Sequence, residues 1–315
     1  AESWKQVFTR KQVRERLKRS DSTIQRRLDS GKFTAPHRGL YVRALGVDDF
    51  LTTLIAAFVW LDAKGVVSGA AAGWLHRLDG CDAPLPELVV PRTMRNRNGG
   101  SVLIRSSNDL APHHVTRVAG LKCMTPARAI VNLCEIGAPR NQIVMAYEDN
   151  YRRGWRARQE LGRCVEELKN SRDLSILKEL ISRRGGKAKP TESALEAVAD
   201  DILWRAGIRG QRQVTIRDEA TGLWVRFDLA FIELRYGFEY DGARWHLLRA
   251  RFRKDRVDDR LLQTIKWGNA RWTWADVLDE LRFISTARAL LDVRREAVLG
   301  TPIPWMPEHQ IVFPF

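Results

Sequence analysis

"FEYDGARWH", residues Phe238 to His246, decides how the second half of the chain is read. Successive side chains on a strand face opposite sides. Phe238 and Tyr240 therefore share one face, and Glu239 and Asp241 share the other. The preceding apolar run, "LWVRFDLAFI" (Leu223 to Ile232), reads as a second strand, with Val225, Phe227, Leu229 and Phe231 on one face and Trp224, Arg226 and Asp228 on the other. A hairpin turning at Glu233-Leu234 sets Asp228 opposite Glu239. Two carboxylates facing one another on half-buried strands repel unless a cation lies between them. Upstream, "TESALEAVADDILWRAGI" (Thr191 to Ile208) reads as a helix. Thr191 is expected at its N-cap, Glu192 in its first turn, and Leu195, Val198, Ile202 and Leu203 along its buried stripe. Glu192, Asp228, Glu239 and Asp241 then form a hard oxygen set, with Asp228, Glu239 and Asp241 expected to hold Mg²⁺ or Mn²⁺. "QRQVTI" adds a further strand, so this region reads as α/β.

The 315 residues suffice for two or three domains, and 44% hydrophobic content allows each a core. Lys and Arg outnumber Asp and Glu by 53 to 38, a net charge of +15, which favours a polyanionic partner. No apolar run reaches the roughly 20 residues of a membrane span, and "AESWKQVF" lacks the apolar core of a signal peptide. A cytoplasmic location is therefore expected. Cys81, Cys123, Cys134 and Cys164 show no metal-ligand spacing. His113 and His114 are adjacent; on a strand they point to opposite faces and cannot chelate together.

The charge is concentrated at the start. Residues 1–43 hold 12 Lys and Arg against 4 Asp and Glu, a net +8 and about half the excess of the whole chain. "TRKQVRERLKRSDSTIQRRLDSGKF" reads as helix, turn, helix, with Thr9 capping the first helix and Ser20-Asp21-Ser22 separating it from the second. Ile24 and Leu28 face inward, which leaves Gln25, Arg26 and Arg27 for DNA bases or phosphates. "PHRGLYVR" then reads as a wing carrying Arg38. Residues 1–45 are thus expected to be a winged helix-turn-helix DNA-binding domain. A middle α/β domain with a helical linker comes next, over 46–182. "RRGGKAKPT" (Arg183 to Thr191) marks the next boundary. The tail 299–315, with its prolines, is expected to run extended.

Two resemblances sharpen these expectations. "VVSGAAAGWLHRLDG" (Val66 to Gly80), "ELVVPR" (Glu87 to Arg92) and "GLKCMTPARAIVNLC" (Gly120 to Cys134) resemble the AbiEi-like type IV antitoxins. That family pairs a winged helix with an α/β domain. "ESALE", "FDLAF", "FEYDGARWH", "RKDRVDDRLL" and "NARWTWADVL" resemble, over residues 188–298, the Vsr-like branch of the PD-(D/E)xK endonucleases. This implies a restriction-endonuclease-like mixed sheet flanked by helices. It also implies a catalytic set of Asp228, Glu239, Asp241, Glu192 and His246, with His246 assisting proton transfer after Trp245. Arg244 and Arg256 are expected to touch DNA. The third-strand lysine of most PD-(D/E)xK enzymes is replaced here by Asp241, and the zinc cysteines of true mismatch endonucleases are missing. The function implied is a metal-dependent DNA endonuclease of defence or repair, with DNA and a cognate toxin or a repair or defence protein as partners. The alternative is an antitoxin-like transcriptional repressor whose nuclease fold does no chemistry.

Overall fold

The computed structural model describes residues 3–15, 20–43, 50–82, 85–94, 102–107, 110–171, 173–184, 190–218, 222–242 and 262–299. The chain is a mixed α/β protein, and its described residues form sheets of three, five and four strands. It divides into two compact units, Ala1–Arg183 and Arg184–Phe315. Among the described residues no helix is long and apolar enough to cross a membrane.

The first unit begins with β1 (Val7–Thr9), α1 (Arg10–Glu15), α2 (Asp21–Asp29), β2 (Phe33–His37) and β3 (Leu40–Arg43). The strands form an antiparallel sheet in the order β1-β3-β2. Thr9 starts α1 as the sequence indicates: its hydroxyl accepts from the Gln12 amide at 3.3 Å, and Gln12 Oε1 accepts from the Thr9 amide at 2.8 Å. Ser20 caps α2. Arg10 and Arg14 both clamp Asp21 at the head of α2, and these bonds, Arg14's first, hold the Asp21 carboxyl down to about 2. This clamp fixes α1 against α2. Val7 and Leu40 belong to the same buried cluster as Leu54 and Leu61 of the next helical segment and Leu88 beyond it. The basic N-terminal segment therefore shares one core with the α/β segment after it.

α3 (Phe50–Trp60) leads into a five-stranded sheet of β4 (Val66–Val67), β5 (Glu87–Val90), β6 (Leu103–Ser106), β7 (Val115–Val118) and β8 (Leu121–Met124), in the order β6-β5-β4-β8-β7. "SGAAAG" serves close packing. Gly69, at the start of α4 (Gly69–Leu75), has φ +53°, and a Cβ there would lie 2.2 Å from the Glu87 carboxylate. Its amide donates to Asn132 Oδ1 at 3.0 Å. The helices α5 (Pro126–Glu135), α6 (Arg140–Arg152), α7 (Trp155–Glu167) and α8 (Ser175–Arg184) follow. The expected linker is a packed layer, with Leu161, Val165, Leu177 and Leu180 buried. One expectation fails here. His113 and His114 are not on a strand; Pro112 opens a 3₁₀ turn, Pro112–His114, that swings both imidazoles to one side with ring centroids 4.3 Å apart.

The second unit packs α9 (Ala194–Arg205) and the helices Trp274–Leu278 and Glu280–Leu299 with a four-stranded sheet. β9 (Gln211–Arg217), β10 (Trp224–Phe231) and β11 (Tyr236–Asp241) form an antiparallel meander, and β12 (Gly268–Thr273) joins β11 in parallel, giving the order β12-β11-β10-β9. The β10–β11 register is the one the hairpin count predicts: Phe231 opposes Tyr236 and Leu229 opposes Phe238. A 3₁₀ turn, Ile232–Leu234, closed by left-handed Arg235, replaces the usual Asn-Gly hairpin loop. Phe238 packs edge-on to Trp272 at 5.3 Å, and Trp272 to Phe283 of the long helix at 4.7 Å.

Strict alternation along β10 does not hold. Val225, Phe227 and Ala230 share one buried cluster, so the facing changes between Phe227 and Ala230. Asp228 sits at that break. The β9 register puts Gln213 across from it, and Gln213 has φ +50°. A non-glycine residue in the left-handed region costs of order 1–3 kcal/mol and persists only where surrounding structure imposes it.

The break brings the Phe227 ring over Gly237, where a Cβ would lie 2.2 Å from the ring carbons. Phe227 is fully buried and stacks on Trp267 at 5.4 Å, so it has nowhere to retreat. Gly237→Ala is expected to destabilise the protein by about 1–3 kcal/mol, the usual scale of overpacking. Urea unfolding measures this as a lowered midpoint; an unchanged midpoint shows that the ring can move.

Candidate functional site

Asp228 lies where β10 changes facing, beside β11. Its Oδ2 accepts the Tyr240 amide at 2.8 Å, so the carboxylate reaches across the strand gap rather than into solvent. Burial pushes the Asp228 carboxyl up to about 7, with the charges of Glu196 and Glu239 adding to the rise and the Tyr240 amide opposing it. Asp228 and Glu239 are therefore electrostatic neighbours, as the hairpin reading expects.

The helix acid is a correction. Glu192 precedes α9, is half exposed and pairs with Arg226. Glu196 is the acid that acts on Asp228. It is buried, its amide donates to Ser193 Oγ at 3.1 Å, and its carboxylate accepts from the Glu192 amide at 2.8 Å. The N-cap is Ser193, not Thr191, which moves the whole first turn by two residues. Burial raises the Glu196 carboxyl, and the neighbouring Glu192 charge adds to this.

Glu239 is half-buried and already partnered: Asn269 Nδ2 donates to it at 3.0 Å, and Arg271 Nε lies 3.7 Å away on β12, whose parallel register pairs the two residues. Asp241 ends β11 opposite Thr273. Tyr240 is buried, with no hydrogen-bond partner for its hydroxyl. The hydroxyl's pKa is raised well above its usual value, first by burial and then by the charges of Asp200, Asp228 and Glu196. A small cavity of about 10 Å³ is lined by Thr191, Glu196, Asp200, Asp228 and Tyr240, among others. That is the volume of a single water.

Whether these residues fit a divalent cation is decided by the donors. Mg²⁺ is held by one or two carboxylates and keeps waters or substrate oxygens for the rest of its shell. Asp228 with Glu239 or Glu196 provides that set, and the mutual repulsion of the three charges is what a cation relieves. They do not form a compact cage: among the described residues, the three-ligand group whose donor atoms all fall within 4.8 Å of one another is His113, His114 and Glu167 in the first unit.

In the first unit, Gln25 and Arg26 are exposed on α2 and Arg38 is exposed in the turn between β2 and β3. Gln25 bonds Asp29 at 2.9 Å, and Arg27 lies over the Phe33 ring at 5.2 Å, so these two are braced against the protein. His246, Arg244 and Arg256 lie outside the described residues, as does the tail from Gly300. A cavity of about 700 Å³ is also in the first unit, with Lys64, Arg117 and Lys122 at its wall.

No family model matches the chain. Two uncharacterized proteins of Mycobacterium tuberculosis, from strains CDC 1551/Oshkosh and H37Rv, are each 29% identical to it over 154 residues, which is 48% of this chain and 54% of each relative. The match thus spans about half the length of these curated relatives. The crystal structure of the RV2827C protein from Mycobacterium tuberculosis is 18% identical, with a TM-score of 0.41 over 59% of this chain and 78% of that one.

The raised Asp228 carboxyl has a stability consequence. In the unfolded chain Asp228 ionises near pH 4, and in the folded chain near pH 7. Between those values the folded state binds the extra proton, so stability falls as pH rises through the window and levels off above it. Asp228→Asn keeps an acceptor for the Tyr240 amide and cannot ionise. In metal-free buffer it is expected to match the wild type near pH 4 and to exceed it by up to a few kcal/mol at pH 8. Urea unfolding at both values checks this; a difference independent of pH shows that Asp228 ionises as an exposed carboxylate does.

Proposed function

We propose that the chain is a metal-dependent DNA endonuclease, with the first unit binding duplex and the second hydrolysing it. The observation that carries this reading is the juxtaposition of Asp228 and Glu239 on neighbouring strands, at the point where β10 changes facing. Local irregularities of this kind re-aim side chains and concentrate at active sites. The order helix, three antiparallel strands, then a parallel fourth strand supports the resemblance to the PD-(D/E)xK fold, with Glu196 taking the helix-acid role. The β1-α1-α2-β2-β3 order, its Arg10/Arg14–Asp21 clamp and the exposed Gln25, Arg26 and Arg38 support a winged helix.

Asp228 and Glu239 would hold the cation, Mg²⁺ or Mn²⁺, with Glu196 behind Asp228 and Asp241 at the strand end. The ion supplies Lewis-acid polarisation of the phosphate and a more acidic water. The chain itself does the rest. The Tyr240 amide fixes the Asp228 carboxylate. Arg271 beside Glu239 brings a cation from β12 to a strand motif that has no lysine. His246 is proposed as the proton-transfer residue, and Arg26, Arg38, Arg244 and Arg256 as phosphate contacts. A toxin or a repair or defence protein is the proposed partner.

Plasmid incubated with Mn²⁺ or Mg²⁺, and with EDTA as control, tests the reading. Cleavage is expected with metal alone, falling roughly 100-fold or more in Asp228→Asn, the scale of losing a group at the reacting centre. Metal is also expected to raise the melting temperature of the wild type and not that of Asp228→Asn. No cleavage and no metal-dependent shift overturn the enzyme. A second reading then stands, a DNA-binding repressor with an inert nuclease-like unit. The ion pairs Arg226–Glu192 and Arg271–Glu239, which neutralise acids without any metal, favour it.

Both readings require DNA binding by the first unit. Arg26→Ala and Arg38→Ala are each expected to weaken duplex affinity and to reduce the slope of log affinity against log salt by about one. Fluorescence anisotropy over a series of salt concentrations measures it; an unchanged slope in both removes α2 and the β2–β3 turn from the interface.

A further inference from the structure

The first unit contains a second constellation, unrelated to the acids of the four-stranded sheet. His113 Nε2 and His114 Nε2 approach the same Glu167 oxygen, at 2.9 and 3.1 Å. The three donor atoms lie within 4.8 Å of one another. His114 is buried, while His113 and Glu167 are exposed. They face a cavity of about 260 Å³ that Glu160, Arg163 and Cys164 also line.

We propose that His113, His114 and Glu167 form a site for a divalent transition ion of the zinc class, with a fourth coordination position open to this cavity. Two imidazoles and one carboxylate are a donor set that suits zinc and its neighbours rather than Mg²⁺. The spacing suits it as well. Donors about 2.1 Å from a tetrahedral ion stand roughly 3.4 Å apart, and the two imidazole–carboxylate distances, 2.9 and 3.1 Å, lie a few tenths of an ångström inside that. Three protein ligands with an open position is the arrangement of zinc sites that bind water or a substrate, whereas structural sites are closed by four.

The scaffold explains why the three meet. The 3₁₀ turn, Pro112–His114, aligns the imidazoles, and α7 ends at Glu167 beside them. The Thr125 amide donates to the His114 carbonyl at 2.9 Å and fixes the turn to the start of α5. Cys164 lies one turn back on α7 with its sulfur 3.8 Å from His114 Nε2. The donor atoms that all fall within 4.8 Å of one another are those of His113, His114 and Glu167, and Cys164 is not among them. His114 Nδ1 is buried with no hydrogen-bond partner. Ligating histidines usually donate that second nitrogen to a carboxylate or carbonyl, and losing such support costs about 10- to 100-fold in affinity. The site is therefore expected to bind weaker than a fully supported zinc centre by about that factor.

Titrating the full chain with Zn²⁺ against a chromophoric chelator tests the proposal, with Co²⁺ as a spectroscopic probe. One equivalent of Zn²⁺ is expected to bind, and Co²⁺ to give visible bands of a tetrahedral or five-coordinate ion. His113→Ala and Glu167→Gln alter exposed side chains and leave the fold intact. Each is expected to lower affinity at least ~100-fold and to abolish the Co²⁺ bands. Asp228→Asn is expected to leave both unchanged, which separates this site from the acids of the second unit. Zn²⁺ bound equally by the wild type, His113→Ala and Glu167→Gln overturns the proposal, as does the absence of a stoichiometric site in the wild type.

Discussion

The second unit is organised around one constraint: a carboxylate set inside a sheet. The Asp228 carboxylate takes the Tyr240 amide at 2.8 Å, a hydrogen bond that a regular ladder would give to a carbonyl. The pleat cannot stay regular around such a group. β10 changes facing, Gln213 opposite takes a left-handed φ, and Phe227 turns its ring onto Gly237. The glycine is required by the aromatic ring, and the ring is placed by the distortion at the acid. Sequence choices on three separate strands thus share one cause.

Electrostatics around Asp228 run opposite to those at the start of the chain. Asp21 is exposed and lies between two guanidinium groups, which hold it ionised. It acts as a clamp whose strength solvent moderates. Asp228 lies among carboxylates, and Arg226, the guanidinium that opposes its rise, is engaged by Glu192. The charge that stabilises one carboxylate is diverted from the other by a single ion pair. Among the described residues, the guanidinium that opposes the rise of Asp228 is thus already engaged by another acid, a state in which Asp228 favours either a proton or an added cation.

Much of this was legible in the sequence, and the misreadings have local causes. The β10–β11 register follows from two-residue alternation in both runs and a hairpin turning at Glu233-Leu234. The helix acid was misread because Thr191 and Ser193 both resemble N-caps. The deciding signal was present: Ser193-Ala-Leu-Glu196 has the spacing of a capping box, and Thr191 has no acid three residues on. Strict two-residue periodicity hid the change of facing at Asp228, since nothing in a single strand's pattern announces a distortion imposed by its neighbour. The histidine pair was misassigned by placing it on a strand. Pro112 before it, a residue suited to the first position of a helical turn, was the sign that both rings could face one way.

The two cation-suited groups differ through burial and ligand type rather than through ligand count. The acids of the second unit are hard oxygen donors, partly buried around a small volume that admits one water. Removing water from an ion that binds there is costly. The histidines of the first unit are softer donors beside a wider cavity, with one ring buried for rigidity and one exposed for access. Imidazole exchanges a hydrogen bond to Glu167 for a metal bond without leaving a charge unpaired. Asp228 and Glu239 cannot both be ionised and unbridged without repulsion. Histidines must be neutral and carboxylates ionised to ligate, so binding at either group is coupled to pH, and in the second unit the proton displaced is the one that burial keeps on Asp228.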